Sequence, residues 1–168
     1  MIIRPATRND LEQVLDIYNH VILNTTAVYS YEPHTLGMRQ QWFEERERSG
    51  FPVIVAEEDG TITGFCSYGP FRVWPCYRFT VENSVYVHLE HRGKGIAKKL
   101  LEALINDATA KGYHAMIAGI DSSNGVSMQL HKQFGFEEVA HFREVGYKFD
   151  RWLDLKFFEL LLAGKSEK

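Results

Sequence analysis

His91-Arg92-Gly93-Lys94-Gly95-Ile96-Ala97-Lys98-Lys99 lies between a strand-like run, Val81 to Val87, and a helix-like run, Leu100 to Lys111. A glycine-rich turn between strand and helix leaves several backbone N–H groups without partners. They point outward at the positive end of the helix dipole, so the turn suits a phosphate. Gly93 and Gly95 carry no Cβ and let the backbone approach an anion closely. Two familiar phosphate loops fail on spacing. The G-x-G-x-x-G fingerprint needs a third glycine where Lys98 stands. The P-loop needs G-x-x-x-x-G-K followed by Ser or Thr, and Gly93-Lys94-Gly95 has neither the spacing nor the hydroxyl. What remains is Arg-x-x-Gly-x-Ala, Arg92 to Ala97. Taken alone, it also fits a glycine-rich helix start with a solvated basic face.

The flanking sequence sets the fold class. From Val81 to His88 the residues alternate, with Val81, Asn83, Val85 and Val87 on one face and Glu82, Ser84, Tyr86 and His88 on the other. Upstream, Ile2 to Arg4 reads as a strand. Thr7 with Asp10 reads as a capping box before a helix carrying Leu11, Val14, Leu15, Tyr18, Val21 and Ile22. Thr35 caps a second helix with Leu36, Trp42 and Phe43. Pro52–Glu57 and Thr61–Tyr68 form a hairpin across Asp59-Gly60. A loop rich in aromatics and arginine follows. Downstream, the central helix (about Lys94 to Lys111) ends at Gly112. Then come a buried-type strand, His114–Ile120, and a short helix, Asn124–Phe134. Two last strands, Val139–Val145 and Trp152–Leu160, are joined by Gly146–Arg151. The order predicts a mixed α/β (α+β) domain around one sheet.

With 168 residues, 45% hydrophobic and 24% charged, the chain suits one domain over residues 1–163, with residues 164–168 as a disordered tail. A formal net charge of −3 without a basic block argues against a nucleic-acid partner. No apolar run approaches a membrane span, and Met1 to Pro5 has no signal-peptide pattern, so a cytoplasmic location is expected. Cys66 and Cys76 read as reduced thiols. The histidines and cysteines show no ligand spacing, so no metal is expected.

Five further segments, in order, resemble one family. They are Asn24-Thr25-Thr26-Ala27 with Glu32-Pro33; Tyr68-Gly69-Pro70-Phe71-Arg72; Thr80 to Val87; Asn124-Gly125-Val126-Ser127 with Leu130-His131; and Gly146-Tyr147-Lys148-Phe149 with Trp152 to Leu155. With the Arg92–Ala97 loop, they resemble the Gcn5-related N-acetyltransferases (GNAT), in particular the phosphinothricin and methionine sulfoximine acetyltransferases, over almost the whole chain. The resemblance implies a mostly antiparallel central sheet flanked by about four helices. It implies acetyl-CoA as cosubstrate, and direct acetyl transfer to the α-amino group of a small amino acid or analogue such as phosphinothricin, methionine sulfoximine or methionine sulfone. A role in antibiotic or herbicide resistance and a homodimer are further implications. In the dimer, Tyr147-Lys148-Phe149 would help close the partner's pocket.

Amine attack on a thioester needs a neutral amine, a polarised carbonyl and a proton for the departing thiolate. The resemblance places the base at Glu82, acting directly or through one water. The alternative is that Glu82 only pairs with Arg78 or with the substrate ammonium. Val85, Tyr86 and Val87 would hold the thioester and the pantetheine arm through main-chain groups. Arg92, Gly93, Lys94, Gly95, Ile96, Ala97 and Lys98 would wrap the pyrophosphate. Asn124 and Ser127 share the start of a helix and are expected at the pantetheine arm, with Asn124 also an N-cap. His131 stands where many relatives have a tyrosine thought to protonate the thiolate. It is either an acid in its place or a packed helix histidine. Phe71, Arg72, Val73, Arg78, Glu82, Asn83 and Ser84 are the expected acceptor-binding residues, the arginines because a guanidinium fork matches a carboxylate or tetrahedral oxyanion. Trp74, Tyr29 and Tyr31 are candidates for an apolar wall. Two rival readings stay open: the same fold acting on another small amine, a polyamine, an aminoglycoside or a protein N-terminus; or a non-catalytic acetyl-CoA sensor.

Overall fold

The computed structural model describes residues 1–162, so the expected tail, residues 164–168, lies outside the described residues. In chain order the elements are β1 (Ile2–Pro5), α1 (Leu11–Asn24), α2 (Leu36–Arg48), β2 (Val53–Glu58), β3 (Thr61–Pro70), β4 (Thr80–Val87), α3 (Ile96–Ala110), β5 (Ala115–Asp121), α4 (Gly125–Gln133), β6 (Glu137–Lys148) and β7 (Arg151–Leu161), with short 3-10 turns between some of them. The strands form one seven-stranded sheet in the order β1-β2-β3-β4-β5-β7-β6. Neighbours are antiparallel except β4 and β5, which are parallel. This is the expected mixed, mostly antiparallel sheet with four helices.

Strand alternation sends side chains to two different layers. Val55, Ile62 and Phe65 pack with Val14 and Ile17 of α1 and with Trp42 of α2. Cys66, Tyr68, Val81, Met116, Ala118 and Phe158 pack on the other face, against Leu100, Leu101 and Leu104 of α3 and the residues around α4. The α1 stripe runs through Leu11, Val14, Ile17, Val21 and Ile22, with Ile17 buried and Leu15 only half-buried. Thr35 caps α2 as expected, its hydroxyl accepting from the Met38 N–H at 3.2 Å.

One connection differs from its sequence expectation. Gly146 was expected in the final turn, but β6 continues through it and pairs Gly146 with Leu153 and Lys148 with Arg151. The turn is Phe149-Asp150, both left-handed at φ 52° and 56°, the backbone of a tight type I′ hairpin in residues that rarely adopt it. Gly146 is needed for a close approach instead: a Cβ there would come within 2.7 Å of the Tyr29 ring.

The feature that makes the site is the partial pairing of β4 and β5. Only Thr80–Glu82 pair with Ala115–Ile117. Beyond them β4 stays bonded to β3 as far as Val87, and β5 stays bonded to β7 as far as Asp121. The two strands part, and an open wedge forms in the middle of the sheet. On the α3 side the wedge is stiffened by tight packing at Gly64, where a Cβ would lie 2.9 Å from the Tyr86 carbonyl oxygen and 3.0 and 3.1 Å from Leu100 and Ile96 side-chain atoms. Gly64→Ala is therefore expected to destabilise the fold by about 1–3 kcal/mol, as overpacking does. Equilibrium denaturation would measure it, and a loss below about 0.5 kcal/mol would contradict the close approach.

Candidate active site at the parting of β4 and β5

A cleft of about 360 Å³ fills the wedge and reaches both faces of the sheet. Its lining includes Glu82, Asn83, Ser84, Val85 and Tyr86 from β4, Ala118 to Asp121 from β5, and Asn124, Ser127 and His131 at and on α4. Ala27, Val28, Arg46, Gly69 and Pro70 complete it.

On the α3 and α4 side lies the glycine loop. Gly93 and Gly95 are left-handed at φ 76° and 77°, the conformation glycine adopts freely. The first ladder bond of α3 runs from the Lys99 N–H to the Gly95 carbonyl at 3.3 Å. Among the described residues the amides of Gly93 to Lys98 have no backbone acceptor. The loop thus presents a run of free donors at a helix N-terminus. Arg92, Lys94 and Lys98 are exposed beside it, and Ile96 turns inward as core. The β4 edge facing the wedge carries no ladder bonds past Glu82, so main-chain groups of Asn83–Val87 on that edge are free for an extended ligand.

Asn83 points to this face rather than to the α1 and α2 face where Glu82 lies. Its amide Nδ2 donates to the Ile117 carbonyl at 3.1 Å and so bridges the two strands where they separate. That fixes its Oδ1 toward His131 Nε2, 3.1 Å away. His131 Nδ1 faces the Ser127 carbonyl at 2.8 Å and the Ser127 hydroxyl at 3.5 Å. Both ring nitrogens therefore meet acceptor oxygens, a pattern fully satisfied when both carry protons. Burial opposes that and lowers the His131 pKa, with the Ser127 carbonyl pulling it back up. Asn124 caps α4, its Oδ1 accepting from the Ser127 N–H at 3.1 Å.

Glu82 stands on the opposite face. Its Oε1 would lie 3.1 Å from a Cβ at Gly119, so the carboxylate leans across the wedge onto bare β5 backbone. Among the described residues it has no hydrogen-bond or ion-pair partner. Burial raises its pKa, and the Arg72 charge opposes this. A partly desolvated carboxylate with a free face has the properties of a base.

The expected acceptor residues separate in space. Arg72 sits over the Phe71 ring at 4.6 Å, and Phe71 packs edge-on against Phe157 at 5.9 Å, near Gly119. Val73 is 85% exposed and Trp74 64%. Arg78 is exposed and covers the Phe79 ring at 4.7 Å. Of the seven acceptor-binding candidates, only Glu82, Asn83 and Ser84 line the cleft.

Sequence reading missed three residues that shape the site. Asp121 is buried at the end of β5. It accepts from Tyr29 Oη at 2.7 Å, Thr26 Oγ1 at 3.0 Å and the Ser123 N–H at 3.1 Å, and from the Ser123 hydroxyl. Burial alone would raise its pKa, but these donors outweigh it and hold the carboxylate ionised. Lys148, 4% exposed, donates to the carbonyls of Ile22, Thr25 and Val28 at 2.5, 2.7 and 2.9 Å. Together they fasten the segment after α1, from Thr25 to Tyr31, as a strap along the cleft. Arg46 is the third. Asp121 carries the one readable signal, a carboxylate ending a buried strand. Lys148 lay within a matched segment and was expected to help close a partner's pocket, but its ammonium is buried against carbonyls of its own chain.

The acetyltransferase (GNAT) family model matches residues 14–136. The chain is 45% identical over 167 residues to an L-amino acid N-acyltransferase of Escherichia coli (strain K12), covering 99% of this chain and 97% of that protein. It is 47% identical over 161 residues to an L-methionine sulfoximine/L-methionine sulfone acetyltransferase of Pseudomonas aeruginosa, covering 95% and 94%. The crystal structure of a phosphinothricin acetyltransferase from Sinorhizobium meliloti, in complex with acetyl-CoA, superposes with a TM-score of 0.95 at 36% identity, covering 99% and 91% of the two chains.

The raised Glu82 pKa has a stability consequence. Between the unfolded and folded pKa values the folded state binds more protons, so stability falls as pH rises through that window, and at neutral pH the ionised Glu82 is a net cost. Glu82→Gln is expected to raise the melting temperature at pH 7–8, with the gain shrinking toward acidic pH. An equal or lower melting temperature at pH 7.5 would refute the desolvated environment.

Proposed function

The chain belongs to the acetyltransferase (GNAT) family, and we propose that it transfers acetyl from acetyl-CoA to the α-amino group of a small amino acid or analogue: methionine sulfoximine, methionine sulfone or phosphinothricin. The observation that carries this reading is the wedge itself. The free Glu82 carboxylate on one face, with the unpaired β4 edge and the open amides of Gly93–Lys98 leading away on the other, supports taking the first as the acceptor face and the second as the donor face. The donor set fits acetyl-CoA: amides at a helix N-terminus for the pyrophosphate and a bare strand edge for the amide-bearing pantetheine arm. The bound thioester supplies the activated acetyl group.

The chain's own residues do the rest. Glu82 takes a proton from the acceptor ammonium, directly or through one water, and leaves the amine free to attack. A main-chain N–H near Val85–Val87 steadies the carbonyl oxygen as charge develops there. Arg92, Lys94 and Lys98 add charge around the loop amides, and Gly93, Gly95, Ile96 and Ala97 contribute backbone. Asn124 and Ser127 stand where the pantetheine arm would pass. His131 is the proton source for the leaving thiolate. Its Nδ1 proton passes to the Ser127 hydroxyl, which gives up its own. Burial lowers the His131 pKa and makes the imidazolium a stronger acid, with the Ser127 carbonyl opposing the shift in part, and the Asn83 and Ser127 oxygens orient the ring. Arg72 holds an oxyanion end of the acceptor. Phe71 walls the pocket beside it, Ser84 lines its floor, and Val73 and Arg78 serve at its outer rim.

We further propose residues 1–163 as one catalytic domain, a cytoplasmic location and a homodimer. Exposed Phe142, Val145, Tyr147 and Trp152 on β6 and β7 support the last. Detoxification of toxic amino-acid analogues, and hence resistance, follows from the same chemistry. Among the described residues no helix is long and apolar enough to cross a membrane.

Free-thiol release from acetyl-CoA against a panel of methionine sulfoximine, methionine sulfone, phosphinothricin, ordinary amino acids, spermidine and an aminoglycoside tests the assignment. Turnover is expected on the first three. Turnover confined to the polyamine or aminoglycoside would overturn it. Glu82→Gln is expected to keep acetyl-CoA binding and to lose about 10²–10⁴-fold in kcat. The wild-type kcat/KM should fall with decreasing pH through an acid limb above the ordinary carboxylate range. Wild-type turnover by the variant would remove Glu82 as base.

A further inference from the structure

Arg46 is a cation in the cleft without a hydrogen-bond or ion-pair partner among the described residues. It extends from α2 to line the cleft beside Gly69, Glu82 and Ser84. Its Nε is buried and makes no hydrogen bond. Among the described residues neither Nη atom has a hydrogen bond or an ion pair. Leaving a half-buried guanidinium unsatisfied is costly. Burial pulls its pKa down, with Glu45 opposing.

Packing explains where the guanidinium sits but not what its edge is for. The guanidinium carbon lies 5.7 Å from the ring centroids of both Trp42 and Phe51. Those contacts hold the group beside aromatic rings, which take up none of its N–H donors as hydrogen-bond acceptors would. The backbone makes room for it. A Cβ at Gly69 would come within 2.3 Å of Arg46 Nη1 and 2.7 Å of Nη2, so the guanidinium occupies the space where a side chain would otherwise project.

Gly69 is the register partner of Glu82. Paired residues point to the same face, roughly 5 Å apart. Arg46, over Gly69 of β3, and Glu82, whose carboxylate leans the other way toward Gly119 of β5, therefore line the same acceptor face with space between them. The ammonium nitrogen and carboxylate carbon of an amino acid are joined through a single carbon and lie about 2.5 Å apart, and a hydrogen bond of about 2.8 Å at each end lets them bridge two groups separated in this way. We infer that Arg46 receives the α-carboxylate of the acceptor while its amine faces Glu82, which makes Arg46 the residue that selects amino acids over simple amines. This rests on the acetyltransferase reading above. It gives the two arginines separate tasks: Arg46 takes the carboxylate, and Arg72 takes the distal oxyanion or polarised oxygen.

Initial rates with L-methionine sulfone and with its decarboxylated counterpart, 3-(methylsulfonyl)propylamine, separate the possibilities. Wild type is expected to prefer the amino acid. Arg46→Met should raise KM for methionine sulfone about tenfold or more, and leave KM for the amine and for acetyl-CoA within about twofold. Arg46→Lys should recover part of the loss. Gly69→Ala keeps the guanidinium but pushes it aside, and should give the same selective rise in a protein with an intact α2. An unchanged KM for methionine sulfone in both Arg46→Met and Gly69→Ala would overturn the inference, as would an equal rise for both acceptors. If wild type neither turns over nor binds methionine sulfone by calorimetry, the acceptor class itself is wrong and the inference falls with it. Wild-type turnover with an insensitive Arg46→Met removes Arg46 alone.

Discussion

The rest of the site depends on a hydrogen-bond ladder that stops. β4 and β5 begin as parallel neighbours and pair only over Thr80–Glu82. Parallel strands in a sheet interior normally leave no open backbone, because unpaired buried amides and carbonyls are costly. Here the cost is contained in two ways. The Asn83 side chain replaces the missing β4 donor to Ile117. The free β4 edge opens to a cleft rather than to packed core. The sheet is held together on both sides of the wedge, by β3 against β4 and by β7 against β5. The gap is therefore a fixed feature of the fold.

The wedge also sorts charge between two faces. On the α1 and α2 face, the Glu82 carboxylate feels the Arg72 charge, and Arg46 lines the same cleft. On the α3 and α4 face the groups are amides and the buried His131–Asn83 pair. In the proposed reaction, an acceptor carrying both an ammonium and an anionic group meets complementary charge on the first face. An extended, phosphate-bearing donor meets backbone N–H groups on the second. Substituents on the faces stay apart, and the reacting atoms meet where the strands part. The strap adds the side wall. Thr26 and Tyr29 are tied to Asp121, and Lys148 holds the carbonyls at and beyond the end of α1. Ala27 and Val28 are thereby set against the cleft.

Local chemistry was readable in the sequence, and long-range placement was not. The alternation from Val81 to His88, the paired glycines at 93 and 95 and the Asn124 cap each announce a backbone conformation within a few residues. The structure places all of them as read. The alternation put Glu82 and Asn83 on opposite faces, and resemblance alone grouped Asn83 with the acceptor residues. Gly146 misled because glycine usually marks a turn. Here it admits the Tyr29 ring, a contact between residues far apart in the chain. The real turn uses Phe149 and Asp150, which carry no strong turn signal together. The inward turn of Lys148 and of Arg46 was invisible for a related reason. Each sits among ordinary surface-type sequence, and only the fold turns it inward.

Arg46 shows most clearly why such residues escape a reading of motifs. Its helix, Leu36–Arg48, is rich in charge, and an arginine near a helix C-terminus has an adequate local explanation in the macrodipole. What sets it apart is subtractive. Gly69 provides space on the neighbouring strand, Trp42 and Phe51 lie beside the guanidinium, and among the described residues no acid bonds to it. None of these three facts is a property of Arg46 in the sequence. Gly69 falls within a matched segment that points, by pattern, to Arg72 as the clamp. The structure adds a second cation to the same segment through the side chain that glycine lacks. A cleft of about 360 Å³ is at the small end for a ligand site. In that volume, one guanidinium and one carboxylate leave room for little more than an amino acid and the end of its acyl donor. Size and charge then restrict the acceptor together.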